Sequence, residues 1–229
     1  MPTARMKKLC VDATDPALLG RFWANLLGLR WEPASSGEGG IYGDGPQCLI
    51  WFNQVPEPKT VPHRVRFEVV AHTLAELEDG GARPVPAEPG PGGRRADGTR
   101  ALLADVEGGE FEASLAVDVP RSVRLRRVVV DSARPHAQAR WWADVLGSTA
   151  DTPEPGRGTV RDVAGVGHGW DFVAASEPKL VKNRIHWDVA VGEVGRLVHA
   201  GATILRGPGG DIAWTVLADP EGNEFCAFV

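Results

Sequence analysis

The segment DATDPALLGRFWANLLG, Asp12–Gly28, returns in the same chain as DSARPHAQARWWADVLG, Asp131–Gly147. Asp12, Pro16, Arg21, Trp23, Ala24, Leu27 and Gly28 recur as Asp131, Pro135, Arg140, Trp142, Ala143, Leu146 and Gly147, at a constant offset of 119. The match extends outward. Glu57-Pro58-Lys59 returns as Glu177-Pro178-Lys179, Arg64 as Arg184, and Gly81-Ala82 as Gly201-Ala202, at an offset of 120. LADVEGGEF, Leu103–Phe111, returns as LADPEGNEF, Leu217–Phe225, at 114. The lost residues fall on PVPAEPGPGGRRADG, a Pro/Gly-rich stretch read as a solvated loop, where length changes are cheap. A period this long is domain duplication and not a solenoid. The copies are residues 1–118 and 123–229, joined around Asp118–Ser122.

Each segment reads as a helix. Asp15 is placed to cap it, Pro16 fits the first helical position, and Leu18, Leu19, Phe22, Trp23, Leu26 and Leu27 form one apolar face, with Gly28 as the terminator. A strand is expected before it, over residues 7–12. Short strands follow at Leu29–Trp31, Gly40–Tyr42 and Cys48–Phe52. The β-α-β-β-β order then restarts, with a strand over Arg64–Val70, a short helix through Leu74 and Leu77, and strands at Ala82–Val85, Ala101–Ala104 and Glu110–Leu115. The expected class is α+β: tandem domains, each with two βαβββ modules, mixed sheet and helices on one face. Pairing of modules inside each copy is the simplest topology.

Alternation sorts the strand faces. Leu9, Val11, Val65, Phe67, Val69 and Phe111 share one face, with Val128, Val130, Ile185, Trp187, Val189 and Phe225 as their counterparts. The other face is mostly ionisable. It carries Lys8, Cys10, Asp12, Arg64, Arg66, Glu68, Glu110 and Glu112 in copy one, and Arg127, Val129, Asp131, Arg184, His186, Asp188, Glu224 and Cys226 in copy two. Such a face either meets water, as in many antiparallel sheets, or lines a pocket.

The helix segment, the EPK…NRIHWDV run and LADPEGNEF resemble the vicinal oxygen chelate superfamily, in particular its glyoxalase-like and bleomycin-resistance-like members. The resemblance covers nearly the whole chain, twice. It implies paired βαβββ modules around a concave site, with metal ligands (two His or Gln, and a Glu) from the first strand of each module and from a late strand. Carried onto this sequence, those positions hold Lys8 and Arg127, Arg64 and Arg184, and Glu112 and Cys226. Lysine and arginine are cationic near neutral pH and do not ligate a divalent cation. The implied triad is therefore absent, and no metal or other cofactor is expected. A shift of two residues brings in Cys10 and His186. His186, Cys226, Asp131 and Asp188 would then be the lesser possibility, a divalent metal site in copy two.

Three functions compete. The first is a metal-independent binder of a small organic molecule, with Arg184, Arg127, Arg64, Glu112, Cys226, Trp170 and Trp51 as contacts. Trp51 and Trp170 are taken as equivalent positions near strand ends. The second is a lyase, isomerase or dioxygenase-like enzyme using His186, Asp188, Asp131 and Glu224, since a histidine among carboxylates suits general acid–base work. The third is a structural pseudo-dimer with no ligand. In copy one, Arg64, Arg66 and Lys8 are expected to pair with Glu110, Glu112 and Glu68. His168 and His199 are expected on a loop and a helix surface, and His63, His72 and His136 in solvent.

Composition bounds the partners. The 229 residues are 43% hydrophobic and 24% charged, with net charge −5, which disfavours a nucleic-acid backbone. No apolar run spans a bilayer, and the N-terminal MPTARMKKLCVDATD lacks the apolar core of a secretory signal. Three cysteines without CxxC spacing point to reduced thiols and a cytoplasmic location. The partner expected is a small molecule, and the chain is expected to be a monomer with internal pseudo-symmetry or a homodimer.

Overall fold

A computed structural model describes residues 2–85, 99–116, 123–164, 167–210 and 212–229. Most of the Pro/Gly-rich loop and the linker around Asp118–Ser122 lie outside these described residues. The first module runs β1 (Ala4–Ala13), α1 (Pro16–Leu27), β2 (Arg30–Pro33), β3 (Gly39–Tyr42) and β4 (Cys48–Gln54). The second runs β5 (Val65–Ala71), α2 (Leu74–Asp79), β6 (Arg83–Pro84), β7 (Arg100–Ala104) and β8 (Glu110–Leu115). The third is β9 (Arg124–Ser132), α3 (Pro135–Leu146), β10 (Thr149–Glu154), β11 (Arg157–Arg161) and β12 (Gly169–Ala174). The fourth is β13 (Ile185–Val191), α4 (Val194–His199), β14 (Thr203–Arg206), β15 (Thr215–Ala218) and β16 (Glu224–Phe228).

The helix signals act as read. The Asp15 side chain accepts from the Leu18 N–H at 2.9 Å, Pro16 starts α1, and Gly28 closes it at φ 65°. Gly147 closes α3 at the same φ, a left-handed conformation that an L side chain resists. In α3, Arg134 stands where Asp15 caps α1, and its side chain makes no capping bond.

The strands form two mixed eight-stranded sheets, in the orders β14-β15-β16-β13-β1-β4-β3-β2 and β10-β11-β12-β9-β5-β8-β7-β6. The α+β class and the βαβββ order stand. Strand neighbours, however, join the first module to the fourth and the second to the third, where pairing within each copy was the simpler expectation. The modules of one copy meet instead through their apolar faces. The Trp23 ring of α1 lies 5.1 Å from those of Phe67 on β5 and Phe111 on β8, which leaves strand edges for other pairings.

Two compact units divide the chain, Met1–Cys10 with Val128–Val229, and Val11–Arg127. In the second unit, Trp23, Phe22, Phe67 and Phe111 make the core, all buried. In the first, Trp142 sits edge-on among Trp141, Trp170, Trp187 and Phe225, with centroids 4.7 to 5.2 Å away. Helix α3 presses so closely on β11 that a Cβ at Gly158 would lie 2.3 Å from the Pro135 carbonyl oxygen. Every residue assigned from the sequence to the apolar strand face is buried.

Candidate functional site

The repeated motifs turn out to be internal ties. The Asp105 carboxylate accepts from the backbone N–H groups of Glu107 and Gly109, at 3.0 and 2.8 Å, and from the Trp23 side chain. Burial nonetheless pushes Asp105 up to about 6. Its counterpart Asp219 accepts from Trp142 Nε1 at 3.0 Å, from Gln138, and from the Glu221 and Asn223 N–H groups. It too is raised by burial. The next acidic residue clamps the start of the first helix. Glu107 accepts from Thr14 N–H, Thr14 Oγ1 and Asp15 N–H, and Glu221 accepts from Ala133 and Arg134 N–H. The EPK lysines are equally occupied. Lys59 holds Glu110 at 2.7 Å and Lys179 holds Glu224 at 2.5 Å, with the His63 and Asn183 N–H groups donating to the same carboxylates. Burial opposes ionisation of Glu110, but the bonds from Lys59 and His63 outweigh it and hold the group below the usual carboxylate range.

The ionisable strand face is partly withdrawn from water. Glu68, His186, Asp188, Cys10 and Cys226 are all buried. On β5, Glu68 is only 1% exposed. It accepts from the Ser114 hydroxyl and has Arg100, Arg126 and Arg127 guanidinium nitrogens at 3.7, 3.5 and 3.9 Å. Beside it, Arg66 pairs with Glu112 at 3.3 Å and donates to the His63 carbonyl. Of the pairs expected in copy one, Arg66 with Glu112 forms. Glu110 goes to Lys59 and Glu68 to three other arginines. Lys8 pairs with Asp188 of copy two, at 3.4 Å. Arg64 stands just before β5 and is half-buried.

In the unit of residues 1–10 and 128–229, β13 carries His186 and Asp188 on this face. The Cys10 thiol of β1, the His186 ring and the Asp188 carboxylate bring one ligand atom each to within 4.8 Å of one another. Cys226 is the register partner of Asp188 on β16. Burial, then the Asp188 carboxylate, push the Cys10 thiol well up, so it is protonated at neutral pH. Arg184 lies immediately before β13, half-buried.

The four acid–base candidates are thus not all brought together. His186 and Asp188 share a strand and a cluster. Glu224 is engaged by Lys179, and Asp131 lies on β9, a strand of the other sheet. Trp170 is a correction. It is fully buried, its ring centroid 4.6 Å from that of Trp187 with the planes tilted at 42°, so it belongs to the core. The paired bonds Val55 N–H to Ala13 and Ala175 N–H to Ser132 make Ile50 its equivalent, whereas Trp51 corresponds to Asp171. A one-residue shift puts a side chain on the opposite face. Trp51 is half-buried on β4. The histidines expected in solvent, His63, His72 and His136, are half-buried. His168 does lie on a loop, but burial pushes it down to about 4, so it is neutral at pH 7.

Sequence reasoning missed Arg100 and Arg126 at Glu68, and Lys8 at Asp188. Arg100 was within reach, because it is the register partner of Ser114, two residues beyond the Glu112 that faces Glu68.

The glyoxalase-like domain model matches residues 8–114 and again 127–228. The chain belongs to this family. The matched segments cover both copies and lie within the vicinal oxygen chelate superfamily. Among solved structures, the glyoxalase-like chain is similar to glyoxalase I from Zea mays, at 15% identity and TM-score 0.64, covering 98% of this chain and 92% of that one. It is also similar to a putative dioxygenase from Bacillus subtilis, at 15% identity and TM-score 0.58, covering 99% and 86%. At such identity the likeness concerns the fold. No curated protein matches the sequence. Of the positions onto which the resemblance carries the metal triad, Lys8, Arg184, Arg127 and Arg64 are cationic and do not ligate a metal, and Glu112 is engaged by Arg66. Among the described residues, no helix is long and apolar enough to cross a membrane.

Proposed function

We propose that this glyoxalase-like protein binds a small organic molecule bearing an anionic group, on the polar face of β5 and β9, using side chains in place of the metal triad. The observation that supports it is the cluster at Glu68: three guanidinium groups converge on one buried carboxylate, at 3.5 to 3.9 Å. Guanidinium forks suit carboxylate and phosphate oxygens, so a cluster of three favours an anionic ligand group. Arg127, Arg64 and Glu112 are the contacts we assign, with a small molecule and neither nucleic acid nor membrane as partner, in the cytoplasm.

The test is calorimetric titration with matched aromatic carboxylates and their neutral amides. Binding of a carboxylate, weakened at least tenfold in R127M and not shared by its amide, supports the reading. Absence of binding, or equal binding of acid and amide, defeats it.

A second reading, acid–base catalysis, draws on the burial of His186 and Asp188 in one cluster with Cys10. A carboxylate beside an imidazole orients it and supports its protonated form. Turnover of a bound compound that is lost in H186Q while binding persists would favour this reading.

A further inference from the structure

We infer that Cys10, His186 and Asp188 form a zinc-type metal site. Cys10 lies two residues beyond Lys8 on β1, and His186 and Asp188 lie two and four residues beyond Arg184, on β13. All three residues are buried, and one ligand atom from each lies within 4.8 Å of the other two. They come from two neighbouring strands of one sheet. Tetrahedral zinc, with bonds of 2.0–2.3 Å, holds its ligand atoms roughly 3.3–3.8 Å apart. The three ligand atoms, all within 4.8 Å of one another, lie close to that spacing.

The donor set selects the ion. A thiolate, an imidazole and a carboxylate suit zinc and its neighbours in the first transition row, whereas magnesium and calcium require oxygen donors. The thiolate and carboxylate together neutralise a dication, which a buried ion requires. Cys226, opposite Asp188 in register and electrostatically linked to the Cys10 thiol, offers a further sulfur for a fourth position. Lys8, 3.4 Å from Asp188, is the cation that the metal competes with for that carboxylate. The equivalent positions of the other sheet hold Val129, Arg66 and Glu68, so the chain contains its own non-binding counterpart.

Titration of the metal-free, full-length chain with Co²⁺ tests the site. One equivalent should bind with a sulfur-to-cobalt charge-transfer band, displaced by Zn²⁺. The band should vanish in C10S, and H186Q should weaken binding at least tenfold. No band in the wild-type chain, or a full band in C10S, overturns the site. Should C10S fail to fold, X-ray absorption of the zinc-loaded wild-type chain decides. A shell containing sulfur beside nitrogen and oxygen supports the assignment, and a shell of nitrogen and oxygen alone overturns it. The carboxylate titration concerns Arg127 on the other sheet, so its failure and the failure of this site are read separately.

Discussion

Glu68 and Asp188 occupy the same position in the two copies, and each is a buried carboxylate beside a cation from a neighbouring first strand: Arg127 at 3.9 Å in one case, Lys8 at 3.4 Å in the other. Around that shared pair everything else differs. Glu68 has two further guanidinium groups and the Ser114 hydroxyl. Asp188 has the Cys10 thiol, with His186 and Cys226 close by. The scaffold behaves in the opposite way. Tryptophan to turn aspartate, turn glutamate to helix start, and EPK lysine to late-strand glutamate are made in both copies. Duplication has kept the ties that hold a module and released the residues that face the site, which is why one fold presents an arginine-rich face and a thiol–imidazole face.

The largest effects should fall on the scaffold and be equal in the copies. Trp142 and Trp23 each fill a buried aromatic cluster and donate to a turn aspartate. W142A and W23A should each cost about 3–5 kcal/mol, measured by denaturant unfolding. A gap of several kcal/mol between them would break the equivalence of the two cores.

Next comes the turn itself. Asp105 is raised to about 6 in the folded chain from an ordinary 3.8. The folded state therefore holds its proton more tightly than the unfolded state. This contribution is full below about pH 4 and is lost as pH rises through 6, a change of roughly 3 kcal/mol. The stability difference between wild type and D105N should shift by that amount between pH 4 and 7, in the direction of a wild type that weakens as pH rises. A pH-independent difference would contradict it.

The two site faces should then separate. E68Q removes a carboxylate that faces three guanidinium groups, which are themselves partly exposed, and should cost about 2 kcal/mol after allowance for solvent screening. D188N removes one carboxylate from beside a single partly exposed ammonium and should cost about 1 kcal/mol. Thermal denaturation at low and high salt checks both, and E68Q should recover more of its loss as salt rises. Equal costs would mean that the excess of arginine around Glu68 carries no electrostatic weight.

The fold was legible because its signals are local. Asp15, Pro16 and Gly28 bound a helix whatever surrounds it, and alternation along β1, β5 and β13 sorted their faces. Trp170 was misplaced for the same reason that alternation is powerful: one residue of error in register reverses the face. The site was only half legible. Sequence put His186 and Asp188 on one strand, but alternation also groups Asp131 and Glu224 with them, because it carries no sheet order. That order sends Asp131 to the other sheet, and Lys179 engages Glu224. Lys8 at Asp188 and Arg126 at Glu68 depend on which modules pair, and nothing in a strand's own residues states its neighbour.

The smallest effect tests the clamp where the copies differ. Glu107 and Glu221 both accept from the backbone at the start of a first helix, but α1 also has the Asp15 cap, and α3 has Arg134 with no side-chain cap. An N-terminal helix donor left without an acceptor costs about 1 kcal/mol. E107A should therefore lose about 1 kcal/mol, with Asp15 still holding the Leu18 N–H, and E221A slightly more, about 1.5 kcal/mol. Ser132 moderates the second loss, since its hydroxyl also accepts from Arg134 N–H at 3.2 Å. Hydrogen exchange of the first turns resolves a difference this small: faster exchange in α3 of E221A than in α1 of E107A agrees with it. The reverse order would show that the clamp, and not the Asp15 cap, carries the start of α1.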